Sequence, residues 1–86
     1  MPHFIQRIQT QEGSLTFLFN RIYTVGGTKY HVSVMSGRLS HYFIMHDGEG
    51  SWHFANIRLL PSWIIAIRKE IEEAINQDLN EFPGHV

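Results

Sequence analysis

Glycine punctuates this chain at near-regular intervals: Glu12-Gly13, Gly26-Gly27, Ser36-Gly37 and Asp47-Gly48-Glu49-Gly50. Between these points lie short runs rich in β-branched and aromatic residues, such as "LTFLFNRIY" and "HYFIMH". Runs of that kind, bounded by turn residues, read as the strands of an antiparallel meander. Strands are therefore expected near 3–9, 15–23, 29–35, 39–46 and 51–57.

Turns at the four sites set a register, with Ile8 opposite Phe17, Tyr23 opposite Tyr30, Val32 opposite His41 and Phe43 opposite Phe54. Successive strand side chains point to opposite faces, so this register sorts every strand residue. One face collects Phe4, Ile8, Leu15, Phe17, Phe19, Tyr23, Tyr30, Val32, Val34, Leu39, Phe43, Met45, Trp52 and Phe54. Only Gln6, Arg21, His41 and Asn56 interrupt it.

An apolar face needs a cover, and "SWIIAIRKEIEEAINQDL" supplies one after Pro61, a residue suited to the first turn of a helix. Ile64, Ile67, Ile71, Ala74 or Ile75, and Leu79 fall on one helical stripe, with Lys69, Glu70, Glu73, Asn76 and Gln77 opposite. The sequence thus predicts an α+β fold: a five-stranded antiparallel β-meander with one C-terminal α-helix, near 61–78, packed across one face. Trp63 and Ile65, at the margins of the stripe, widen its N-terminal end into a candidate helix-end interface. Residues 80–86 read as a loose tail. A chain of 86 residues fills one core, so 1–86 is expected to be a single domain, burying about 60–65% of its unfolded surface.

Composition narrows the function classes. There is no cysteine, which removes disulfides and thiolate sites and makes the cytoplasm the expected compartment. No run approaches the roughly 18 apolar residues of a membrane helix, and the N-terminus lacks a signal-peptide layout. A formal charge of −1 weighs against a general nucleic-acid binder. That mean hides an asymmetry: residues 1–46 carry Arg7, Arg21, Lys29 and Arg38 against Glu12, whereas 47–86 carry three bases against seven acids. The acidic half reads as a solvated helix face.

The histidine-rich stretch "HYFIMHDGEGSWHF" does not converge on a site. The register sends His41 to the covered face as a packed, hydrogen-bonded core residue. It sends His46 and His53 to the other face as diagonal neighbours, with His31 diagonal to His53. Diagonal positions stand about 7–8 Å apart, whereas structural zinc usually takes four ligands converging at about 2 Å. No metal and no cofactor are expected. "DGEG" lacks the alternating ligand spacing of a calcium loop. Ser33, Ser36, Ser40 and Ser51 lie near histidines without a matching acid, and no glycine run precedes a helix to cradle phosphate. Catalysis is not expected. Arg21 is the anomaly: a lone charge on the covered face is costly. Either a bulge near Asn20 turns it outward, or its stem lies along Phe4 while its head reaches an acid or a carbonyl.

The uncovered face carries Ile5, Arg7, Leu18, Ile22, Lys29, His31, Met35, Tyr42, Ile44, His46, His53, Ala55 and Ile57. It is too apolar to meet only water and too polar for a core, which marks a partner surface. Arg7, Ile22, Lys29, His31, Tyr42, Ile44, His46 and His53 are the candidate binding residues. The first expectation is a non-catalytic interaction module that forms a homodimer, since most soluble oligomers pair identical patches. An alternative is single-stranded nucleic acid on the same face, stacked on Tyr42, His31 and His53 beside Lys29 and Arg7. The strand-then-helix order resembles, in architecture alone, the modules of PUR-type and Whirly-type single-strand-binding proteins, and that resemblance implies the same use of the face. A third is a small-ligand pocket or a histidine-assisted enzyme. The edge strands 3–9 and 51–57 are also free to extend a sheet across a dimer.

Overall fold

The structure, a computed structural model, describes residues 3–83. Five antiparallel strands follow one another in space as in sequence: β1 (His3–Thr10), β2 (Gly13–Thr24), β3 (Gly27–Ser36), β4 (Leu39–Gly48) and β5 (Ser51–Phe54). Two helices close the chain, α1 (Ser62–Ile65) and α2 (Arg68–Glu81). The architecture is the α+β meander that the turn spacing predicts.

The register differs from the expected one in a regular way. Ile8 faces Leu15, Arg21 faces Tyr30, Val34 faces His41 and Met45 faces Phe54. Every hairpin turns on two residues, as the expected pairings require, but each turn sits one residue away from its expected place: earlier at Gln11-Glu12 and Val25-Gly26, later at Gly37-Arg38 and Glu49-Gly50. Gly13 and Gly27 begin strands, with φ of 104° and 117°, instead of sitting at the turn centres. At Gly37-Arg38 a φ of 61° falls on the first loop residue, as a type II′ turn requires. At Glu49-Gly50 both residues have positive φ, 54° and 83°, as in type I′. Each pairing is displaced by two residues, one full period of the strand, so every side chain keeps its assigned face.

One core holds the covered face and the helices together. Phe17, Phe19, Tyr30, Val32 and Met45 of the sheet are buried against Ile64, Ile71 and Ile75. Phe4 stacks on Phe19 with ring centroids 4.6 Å apart, and Trp52 meets Tyr30 edge-on at 5.4 Å.

The expected single helix is broken at Ala66-Ile67, where Ile67 adopts φ −104° and ψ 24°. Trp63 and Ile64 are adjacent, and a straight helix turns adjacent residues 100° apart; the break accompanies the burial of both, together with Ile67. The helix also runs on to Glu81, so Asn80 and Glu81 belong to α2 rather than to a tail; residues 84–86 lie outside the described residues. Strand β5 ends at Phe54, short of the expected residue 57, although Ala55 N–H still donates to Ile44 O at 2.8 Å. Ile57–Leu59 then forms a 3-10 turn leading to Pro61.

Arg21 finds its partner on α2. There is no bulge: the β2–β3 pairing runs unbroken from Phe17↔Val34 to Thr24↔Gly27. The side chain is 1% exposed, and its Nη2 donates to Asp78 Oδ2 at 2.6 Å and to Asp78 O at 3.2 Å. Its Nε donates to Tyr30 Oη at 3.0 Å, and the Tyr30 hydroxyl donates to the same carboxylate at 2.5 Å. Burial opposes the charge on Arg21, but hydrogen bonds to Tyr23, Asp78 and Tyr30 outweigh it and hold its pKa above that of a free guanidinium. Burial, then the bond to Asp78, pushes the Tyr30 phenol above its ordinary value. This cluster fastens the C-terminal half of α2 to the sheet.

The N-terminal half of α2 is fastened differently. Trp52 N–H donates to Glu72 Oε2 at 2.8 Å, and Arg68 Nη1 donates to Trp52 O at 2.8 Å. Arg68 and Glu72 also pair with each other at 3.4 Å. Two side chains thus take the place of a sixth strand along β5.

Candidate functional site

The open face of the sheet gathers most of the candidate residues, in rows set by the observed register. One row reads Ile22, Lys29, His46, His53 across β2 to β5. The next reads Asn20, His31, Ile44, and Tyr42 stands in a third with Ile5, Leu18 and Ser33. The expected pairings would have set Ile22, His31, Tyr42 and Ala55 side by side in one row, which the observed register does not. Arg7 lies apart, opposite Thr16, and its guanidinium donates to Ser14 Oγ, Thr16 Oγ1 and Ser14 O, each at 3.3 Å. Lys29 and Arg7 are not brought together.

His46 and His53 are direct cross-strand partners rather than diagonal ones, with ring centroids 5.9 Å apart. His53 Nε2 lies 3.1 Å from Gly48 O and 3.0 Å from Ser51 Oγ. A carbonyl only accepts, so a hydrogen bond to Gly48 O requires the tautomer with the proton on Nε2. Both contacts lie within the β4–β5 turn and brace it. Among the described residues no group of three or more His, Asp or Glu side chains is placed to hold a metal ion. His41 is half-buried on the other face, edge-on to Trp63 at 5.5 Å.

At the helix end, Trp63 is 9% exposed and part of the core, and Ile65 is half-buried against it. This pair offers a partner little surface. The open face offers far more: Tyr42 is 75% exposed and Ile5 66%, with Leu18, Ile22 and Ile44 half-buried between strands. A cleft of about 730 Å³ lies on this face. Strand residues Leu18, Asn20, His31, Ser33, Tyr42 and Ile44 line it together with Ala55, Asn56, Leu59 and Leu60. The sequence reading missed Asn56, Leu59 and Leu60 because it carried β5 too far; Pro61 and the adjacent leucines were the only cue to a turn there.

No Asp or Glu occupies an open-face position of any strand, whereas Arg7, Lys29, His31, His46 and His53 do. The face is thus electropositive within a chain of net charge −1. No helix among the described residues is long and apolar enough to cross a membrane. Compared with protein-family models, curated proteins and solved structures, the chain matches none.

Proposed function

We propose that this chain is a small non-catalytic binding module that self-associates through its open sheet face. The observation that carries the reading is the extent of uncovered mixed surface. Five strands about 4.8 Å apart and between 4 and 12 residues long present roughly 700 Å², close to the roughly 800 Å² that each partner contributes to a standard interface. The chain also exposes 5828 Å², against about 5200 Å² for a typical folded monomer of its 10.0 kDa. A twofold axis through the face would stack two sheets about 10 Å apart around Tyr42, Ile44 and Leu18. A cysteine-free chain suits a reducing compartment, and we assign it to the cytoplasm.

A second reading rests on the acid-free character of the same face: a single-stranded nucleic acid, its bases stacked on Tyr42 and His31 and its phosphates near Lys29. One experiment separates the two. Light scattering on a sizing column at low and high salt gives twice the monomer mass at both for an apolar dimer, and Tyr42→Asp returns it to a monomer with unchanged circular dichroism. A wild-type monomer at both salts rejects self-association. Oligonucleotide binding that weakens steeply with salt would then establish the second reading.

A further inference from the structure

The two margins of the sheet are treated differently by α2, and the difference defines a second surface, separate from the open face. Along β5, Glu72 and Arg68 reach the Trp52 main chain and close the gap between helix and strand. Along β1 the gap stays open. A cleft of about 300 Å³ runs there between Gln6–Gln9 of β1 and Glu70, Glu73, Ala74 and Gln77 of α2. Strand β1 is eight residues long, pairs with β2 without a bulge, and has no strand on its outer side. Beside the cleft, the Gln6 and Gln9 side-chain amides reach the carbonyls of Arg7 and Thr10. Such an edge is a template for main-chain pairing.

The helical wall of the cleft selects the occupant. Glu70 and Glu73 are exposed and stand one turn apart, and the nearest base of the strand, Arg7, turns its guanidinium to the opposite face to bond Ser14 and Thr16. The cleft is therefore a main-chain template beside a wall of negative charge. We infer that it binds an extended, basic peptide segment of a partner protein, which adds as a sixth strand to β1 with its cationic side chains toward Glu70 and Glu73. A second copy of this chain fits poorly, because pairing two β1 edges would set one acidic helix face against another.

The test uses the full chain and a fluorescent Lys-Val-Lys-Val-Lys-Val peptide, read by anisotropy. In an added strand, alternate residues turn their N–H groups to the edge. Methylating the three valine nitrogens, or the three lysine nitrogens, is therefore expected to weaken binding at least tenfold for one set and less than twofold for the other. A Glu-Val counterpart is expected to bind at least tenfold more weakly, and the Glu70→Gln, Glu73→Gln double variant to lose a comparable factor for the lysine peptide. Amide resonances of residues 3–10 should shift on titration. Equal effects of the two methylated sets, no loss in the double variant, or shifts confined to His31, Tyr42 and Ile44 would each overturn the assignment. So would a dimer whose mass is unchanged by both Tyr42→Asp and saturating peptide, with no peptide-induced shift at residues 3–10. The oligomeric state of the Tyr42→Asp variant is measured independently, so failure here leaves the open-face proposal standing or falling on its own result.

Discussion

Replacing Asp78 by alanine isolates the contribution of the cluster that holds α2 to the sheet. Arg21 is 1% exposed and would lose the carboxylate reached by its Nε and Nη2, while Tyr30 would lose the acceptor for its hydroxyl. Removing one partner of a buried pair costs about 3–5 kcal/mol, because the remaining charge keeps its desolvation penalty. Two effects pull toward the lower end. The Asp78 carbonyl and the Tyr23 hydroxyl still accept from Arg21, and alanine has the better helix propensity by about 0.5 kcal/mol. A loss near 3 kcal/mol is expected, against a total of roughly 4–13 kcal/mol for a chain this size. The corresponding fall in Tm is about 12–24 °C. Urea titration followed by fluorescence of the buried Trp52 and Trp63 measures it, with the m-value unchanged if only the native state is weakened. The double variant Arg21→Met, Asp78→Leu should recover most of the loss, since an apolar pair carries no desolvation debt. A cost below about 1 kcal/mol for Asp78→Ala would refute the reasoning and make the ion pair incidental to docking.

Three further outcomes are expected. The Tyr30 phenol is held above its ordinary pKa by burial and by Asp78, so the folded state keeps its proton where the unfolded chain releases it. Its stabilising contribution is complete below about pH 10 and declines by about 1.4 kcal/mol per pH unit above that, a slope that Tyr30→Phe should remove from alkaline denaturation curves. Glu49→Asn, at the positive-φ position before Gly50, should stabilise by roughly 0.5–1 kcal/mol, because asparagine tolerates that conformation and Asn-Gly favours a type I′ turn; urea midpoints would show it. Glu72→Ala leaves Trp52 N–H without its acceptor and Arg68 without its carboxylate, though Arg68 keeps Trp52 O, which should cost about 1–2 kcal/mol and introduce concentration-dependent association through the exposed β5 edge, visible as rising mass in light scattering.

Much of this structure was legible because short-period patterns tolerate certain errors. Every predicted pairing was displaced by two residues, yet Phe17, Val32 and Met45 still reached the core and His31, Tyr42 and Ile44 the open face. What did slip was lateral adjacency: His46 moved from diagonal to direct partner of His53. The partner of Arg21 was not readable, because Asp78 lies 57 residues away and looks like any other acid on a solvated helix. The break at Ala66-Ile67 was hidden by an apolar run that fits a wide helical stripe as well as a kinked one. By spacing alone, Arg68 and Glu72 cannot be told from an ordinary i,i+4 surface pair, so their closing of β5 had no cue in the sequence.

The two-residue loops carry a consequence for how such a chain can change. With its loops at Gln11-Glu12, Val25-Gly26, Gly37-Arg38 and Glu49-Gly50 so short, length variation in any hairpin obeys an even–odd rule. Adding two residues lengthens a turn and leaves every later side chain on its own side. Adding one inverts all that follows, unless a bulge absorbs it; in any of the first three turns it would send Phe43 and Met45 to water and Tyr42 and Ile44 inward. Natural or engineered insertions in these hairpins should accordingly be tolerated in pairs, and the earliest turn should be the least forgiving of a single residue, since four strands lie downstream of it.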